Sequence, residues 1–244
     1  MNSTGNDIVS LNAIDITRTK QYRFYSKILS TTEKELYRNA KFTAIPFENF
    51  VWLLWSIKES AFKYLQRIRP DLIFSPTKFV VKQLHLLSDP IITNFEAKQT
   101  EGIGFDGKDS INGMIAFGAY ILYSKSLIYN ELIVSVVNCD ENFENTAWGI
   151  KLIDKSDPHC QSMEVRTLLV NKLNSLFSAD NISIGKNSNG VPTVMKENKT
   201  LPISVSLSHH DRLVAYSFQL AEGRSCDATS IKNLNRGIQI ESKR

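Results

Sequence analysis

Apolar residues follow two rhythms along this chain of 244 residues. From Phe50 to Arg67 they are dense enough to wrap most of a helix, with Trp52, Leu53, Leu54, Trp55, Ala61, Phe62, Tyr64 and Leu65 broken by only a few charges. Basic residues gather at the end of that run and Pro70 follows, so the pattern predicts a long helix that stops there. A second helical stripe runs through Met163, Val165, Leu168, Leu169, Leu173, Leu176 and Phe177, with Ser162 as its expected N-cap. A shorter helix is expected from Glu33 to Ala40, capped by Thr31 or Thr32 with Glu35 closing the box. Elsewhere the period is two. Asp7–Leu11, Lys78–Leu87, Gly113–Ser124, Leu127–Asn138, Ile182–Gly185, Ile203–Ser208 and Leu213–Leu220 read as strands. A turn is expected at Ser124–Ser126 and another at Lys186–Asn189, Asp89-Pro90 reads as a break, and Thr100–Asn112 reads as loop. Lys20–Leu29 reads as mixed helix and loop, and Cys139–Ala147 as an acidic connector. The chain is therefore expected to be α+β.

The charges inside the first helix carry the chemistry. Glu59 and Lys63 stand one turn apart and share a face, while Lys58 points about 100° away from Glu59. Such a pair alone reads as a surface salt bridge. Set among apolar neighbours, the same residues offer an anionic ligand for a hard cation and two ammonium groups for a phosphate. Asp7 enters an apolar strand beside Ile8 and Val9, which is costly for a carboxylate unless it is paired or holds a metal. Ser208 and His209 lie where a strand meets the polar corner His210-Asp211-Arg212, where an unremarkable hydrogen-bonded histidine is the commoner reading.

These segments resemble one family. Trp55-Ser56-Ile57-Lys58-Glu59-Ser60-Ala61-Phe62-Lys63 is similar to the W-x-x-K-E-[AS]-x-x-K signature of the 4′-phosphopantetheinyl transferase superfamily. Gly5-Asn6-Asp7-Ile8-Val9 resembles its G-x-D-[IV]-[VE] strand, and Ser206-Leu207-Ser208-His209 its S-[IL]-[ST]-H strand. Phe24–Leu36 and Asn189-Gly190-Val191-Pro192 resemble two further pieces. The resemblance implies that Asp7 and Glu59 bind Mg²⁺ and that Lys58, Lys63, Ser208 and His209 contact coenzyme A. It implies that Glu59, directly or through a water, takes the proton of a serine on an apo acyl or peptidyl carrier protein. That serine receives the phosphopantetheine arm and 3′,5′-adenosine diphosphate leaves. Val9 stands where some relatives carry a second carboxylate. Val191 stands where many carry a phosphate-binding Lys or Arg, a role Lys186 is a candidate to fill.

Motif order follows the small trimeric members of the superfamily, whereas chain length matches the larger monomeric ones. The expected architecture is a 4′-phosphopantetheinyl transferase-like fold of two pseudo-equivalent αβ halves, residues 1–150 and 160–222, followed by a polar tail over 223–244. A monomer with its site at the junction is expected.

Composition narrows the alternatives. A net charge of +4 is too small to point to nucleic acid and suits an acidic protein partner. Cys139, Cys160 and Cys226 are few and scattered, forming neither a disulfide framework nor a zinc site, which fits a reducing, cytoplasmic setting. No apolar run approaches the ~18 residues of a membrane span. A catalytically silent relative that binds coenzyme A or a carrier protein is the alternative, and a basic interaction module the third reading. Fatty acid, polyketide and nonribosomal peptide carriers share the acceptor serine, so the pathway stays open.

Overall fold

In the computed structural model, residues 3–86, 92–105, 110–177 and 181–220 are described. The chain runs β1 (Gly5–Ser10), α1 (Ile16–Thr19), α2 (Tyr22–Tyr25), α3 (Thr31–Tyr37), α4 (Ala40–Thr43), α5 (Phe47–Gln66), β2 (Val80–Leu86), β3 (Gln99–Ile103), β4 (Ile111–Phe117), β5 (Tyr120–Ile128), β6 (Leu132–Asn138), β7 (Thr146–Leu152), α6 (Pro158–Phe177), β8 (Ile182–Lys186), β9 (Pro192–Lys196), β10 (Lys199–His210) and β11 (Leu213–Gln219). The Asp89-Pro90 break, Cys226 and the tail beyond Glu222 lie outside the described residues.

Two antiparallel sheets form, ordered β1-β6-β5-β4-β2 and β3-β7-β11-β10-β9-β8. Apart from β3, both follow one path: a first strand, a long helix, then four strands that step back until the last lies beside the first. The strand period of two builds the layers. In β6, Ile133 and Val137 face α5, whereas Leu132, Val134 and Val136 meet Trp148, Ile150, Leu213 and Ala215 of the other sheet. In β11, Val214, Tyr216 and Phe218 turn the other way, onto the face that α6 covers with Val165, Leu168, Leu169 and Leu173. The order of layers is thus α5, first sheet, second sheet, α6.

Several expectations are corrected. The α3 cap is Ser30 with Glu33, not Thr32 with Glu35. The turn expected at Ser124–Ser126 lies inside β5. Those serines are buried, and Ser126 Oγ meets Ser135 Oγ at 2.8 Å, so they read as turn residues only by composition. The chain turns instead at Gly118, with φ +56, and again after Ile128. Helix α6 starts at Pro158, ahead of Ser162, with Asp157 Oδ1 accepting from the Cys160 amide at 2.9 Å. Part of the expected loop over 100–112 is β3, which joins β7 in the second sheet. A boundary at 150 falls inside β7; the crossing between sheets lies in the segment between β6 and β7.

Strand β1 is the edge of its sheet, yet its open side is not bare. The Asn6 amide donates to Ser206 Oγ at 2.9 Å and the Ser10 amide to His210 Nδ1 at 2.9 Å. Ser3 Oγ meets Ser204 Oγ at 3.1 Å, Thr4 Oγ1 meets Ser217 Oγ at 3.0 Å, and Asn6 Nδ2 donates to Ser208 Oγ at 2.8 Å. Alternate side chains of β10, with Ser217 of β11, thus form a polar seam along β1.

The other face of β1 lies hard against α5. A Cβ added at Gly5 would stand 2.0 Å from the Ser60 carbonyl oxygen and 2.8 Å from the Tyr64 nitrogen. Both are helix backbone, which cannot swing aside. Gly5→Ala should therefore destabilise the fold by about 2–3 kcal/mol, the upper part of the overpacking range, measured as a lower urea midpoint with an unchanged slope.

Candidate functional site

Because β1 alternates, Asp7 faces α5 along with Gly5 and Val9. Ser56 Oγ donates to the Asp7 carbonyl at 3.3 Å, tying the strand to the helix beside the carboxylate. Lys63 then reaches back: its Nζ lies 3.0 Å from Asp7 Oδ1 and 3.4 Å from Glu59 Oε1. Asp7 is 5% exposed, while Glu59 and Lys63 stand half-open at its rim. Three predicted site residues are thereby brought into one cluster.

Electrostatics in the cluster are finely opposed. Burial pushes the Asp7 carboxyl up to about 7, with Lys63 and the Ile8 amide pulling it down and the Glu59 charge pushing it further up. Burial alone would lower the Lys63 pKa, but the two carboxylates outweigh it, so Lys63 is held charged. The His209 ring is kept neutral by burial and by the cationic neighbours Lys63, His210 and Lys186, with Glu59 opposing. His209 thus feels the charges of Lys63 and Glu59 as well as that of Lys186 at the end of β8. An arriving anion would reverse the balance at His209.

Two predicted ligand residues lie elsewhere. Lys58 is expected at a phosphate, but its side chain is completely buried on the opposite flank of α5, 2.7 Å from Glu33 Oε2 and 2.5 Å from the Ile28 carbonyl oxygen. Burial pulls its pKa down and Glu33 opposes that. Ser208 is expected beside His209 at the ligand, but alternation turns it into the seam, where it is 3% exposed and accepts from Asn6. Val9 is buried in the α5 core, so it adds no ligand. Val191 closes its turn by donating its amide to Asn187 Oδ1 at 3.0 Å.

His210, which no motif singles out, holds the Ser10 amide and feels the charges of Asp211 and Glu59. Only the structure reveals it, since alternation alone cannot say which strand β10 faces. Asn6 is a second residue missed: it is wholly buried, and its Oδ1 has no hydrogen-bond partner among the described residues although its Nδ2 binds Ser208.

As a metal centre the cluster is sparse. Among the described residues no group of three or more His, Cys, Asp or Glu gathers. Asp7 and Glu59 supply two hard carboxylate donors, a set that fits Mg²⁺ when waters and substrate oxygens complete its shell. Among the described residues no helix is long and apolar enough to cross a membrane.

Residues 3–102 match the family model of the 4′-phosphopantetheinyl transferase superfamily. The match takes in Asp7, Lys58, Glu59 and Lys63 and ends before Ser208 and His209. It supports phosphopantetheine transfer as the kind of function, with coenzyme A as the substrate that family uses. No curated protein and no solved structure matches the chain.

The Asp7 shift has a stability consequence. Its folded pKa lies above the ordinary 3.8, so between about pH 4 and 7 the folded state binds more protons than the unfolded one. Stability is therefore lost as pH rises through that window. Asp7→Asn removes the ionised form, so the loss of stability between about pH 4 and 7 should flatten in this variant, as followed by calorimetry.

Proposed function

We propose that this protein transfers the 4′-phosphopantetheine arm of coenzyme A to a serine of an apo acyl or peptidyl carrier protein, with Mg²⁺. The observation that carries the reading is the Asp7–Lys63–Glu59 cluster, in which a strand carboxylate and a helix carboxylate share one ammonium. Asp7 and Glu59 would hold the metal, which supplies positive charge for the diphosphate. Lys63 and His209 neutralise phosphate oxygens, and Lys186 replaces the cation that Val191 lacks. Glu59 accepts the proton of the carrier serine. The serine oxygen bonds to the β-phosphorus, and the bond from that phosphorus to the nucleotide's bridging oxygen breaks, releasing 3′,5′-adenosine diphosphate. A positioned carboxylate base contributes about 10²–10⁴-fold, and the fixed charges supply the larger share.

The matching sheet paths support the expected pair of pseudo-equivalent halves, with the site at their junction and a monomer as the working unit. A first half over residues 1–145 and a second beginning at β7 fit the observed crossing better than a boundary at 150.

The carrier has a fitting surface. Between Ile16 and Lys41 the side chains of Arg18, Lys20, Arg23, Lys27, Arg38 and Lys41 are exposed, whereas of the two acids there Glu33 is buried and only Glu35 is open. Tyr22 stands 66% exposed among them, with Lys34 over its ring. Thr19 takes the Trp52 indole N–H at 3.1 Å. Trp52 lies on the same stripe of α5 as Glu59, about 10 Å along the axis. An acidic partner seated there would bring its serine near Glu59.

The second reading, a relative that binds coenzyme A without transfer, draws on the loss of two expected phosphate cations, at Lys58 and Val191. Turnover separates the two. Intact-mass spectrometry of an apo carrier protein with coenzyme A and Mg²⁺ should show a gain of one phosphopantetheine arm, abolished by EDTA. Glu59→Gln should lower that rate by at least about 10²-fold with the melting temperature retained. Coenzyme A binding without any mass gain on several carrier types would favour the silent relative. Reversing Arg18 and Arg23 to Glu should raise the carrier KM about tenfold at low salt and leave the coenzyme A KM unchanged.

A further inference from the structure

We propose that Lys58 and Glu33 are a positioning pair: a sealed ion pair that sets the rotation of α5 and so aims Glu59, the next residue, at Asp7. The proposal rests on the phosphopantetheine-transfer reading for its catalytic consequence, though not for its geometry. It departs from the role the motif implies for Lys58.

Every oxygen of Glu33 is used. Its Oε2 accepts from Lys58 Nζ at 2.7 Å and from the Ser30 amide at 2.7 Å, and its Oε1 accepts from the Val81 amide at 2.7 Å. Lys58 gives a further hydrogen bond to the Ile28 carbonyl oxygen at 2.5 Å. The pair therefore joins four segments: the Ile28–Ser30 turn, α3, α5 and β2. Neither side chain has any exposure. A lysine with two of its three N–H groups aimed at protein oxygens, and no path to solvent, is not available to a substrate phosphate.

Stability does not explain such a pair. Buried ion pairs commonly add nothing over apolar residues of the same volume, and their best-attested use is to select one arrangement over others. The arrangement selected here is angular. Helix α5 meets the sheet through Ser60 Oγ, whose single hydroxyl proton is shared between Ser56 O at 2.8 Å and Ser135 O at 3.0 Å, and through Ser56 Oγ on Asp7 O. Lys58 lies about 160° around the axis from Ser60, so the two clamps grip opposite borders of the buried arc. Glu59 and Lys63 project from the arc left open between them. A rotation of about 10° moves a group at the ~5–6 Å outer radius by about 1 Å, and an offset of that size can cost on the order of 100-fold in rate.

The test replaces the pair with apolar residues of similar length. Glu33→Met/Lys58→Met should melt within a few degrees of the unaltered protein, which separates positioning from folding. Its transfer kcat should fall at least tenfold, with the coenzyme A KM changed by less than about threefold. A crystal structure of the variant should show the Glu59 carboxylate displaced from Lys63 and Asp7. Where the double variant fails to fold, Glu33→Gln removes the charge, keeps an acceptor for the Val81 amide, and should give the same kcat loss and displacement. An unchanged kcat with unchanged Glu59 geometry would overturn the proposal. So would a Lys58→Met variant whose only defect is a raised coenzyme A KM, the pattern of a phosphate ligand. Displacement of Glu59 in the variant, alongside an unaltered protein that modifies no carrier, would leave the positioning role standing and remove the transfer reading instead.

Discussion

Strand β1 must satisfy its backbone on a side that no strand covers, and much of the structure follows from how it does so. A bare edge buried between two sheets would leave several amides without acceptors, at a cost comparable to losing each hydrogen bond outright. Here Ser206 and His210 supply those acceptors from side chains. Side chains can do this only if β10 crosses β1 in one register, so the seam fixes how the second sheet lies against the first. That register decides which residues of β10 reach the rim of the Asp7 cluster. The opposite face of β1 tolerates only glycine at position 5, which sets the depth of α5 and brings Ser56 onto the Asp7 carbonyl. Strand, helix and second sheet are thus located by one six-residue segment.

Charge is handled in two contrasting ways within two turns of α5. Lys58 and Glu33 cancel one another out of reach of solvent, with every acceptor of the carboxylate taken. Lys63 is shared by two carboxylates at the half-open rim. The first arrangement is closed and gives rigidity. The second is open and leaves binding capacity for an incoming cation and anion together. Five residues along the helix are enough to separate a structural charge from a reactive one, because they turn the side chain about 140° around the axis, from the core to the rim.

The long helices and the strands flanking the motifs were legible because their apolar periods are strong. Asp7, Glu59 and Lys63 were legible as a group because motif spacing and helix geometry agree. Lys58 was misread for a physical reason: a lysine in an apolar run has no visible partner in sequence, and Glu33, far up the chain, supplies it. Ser124 and Ser126 were misread as a turn because a buried serine pair and a surface turn have the same composition. Strand β7 was missed because its apolar residues are interrupted by Gly149 and Lys151, and glycine there makes room for the Tyr216 ring rather than for a bend. Ser208 was placed on the wrong side because its direction depends on which neighbour β10 meets, a tertiary fact.

Strand β3 leaves the first sheet's part of the chain and lies down in the second sheet. There Trp148 Nε1 bonds to the Gly104 carbonyl at 2.7 Å and Lys172 of α6 holds Glu101 at 3.1 Å. The two sheets are therefore interlaced, the second owning a strand whose chain neighbours belong to the first. Opening the peptide backbone in the link between β6 and β7 would divide the polypeptide without dividing the molecule. The two pieces would remain a complementary couple, clasped by β3 on one side and by the seam along β1 on the other.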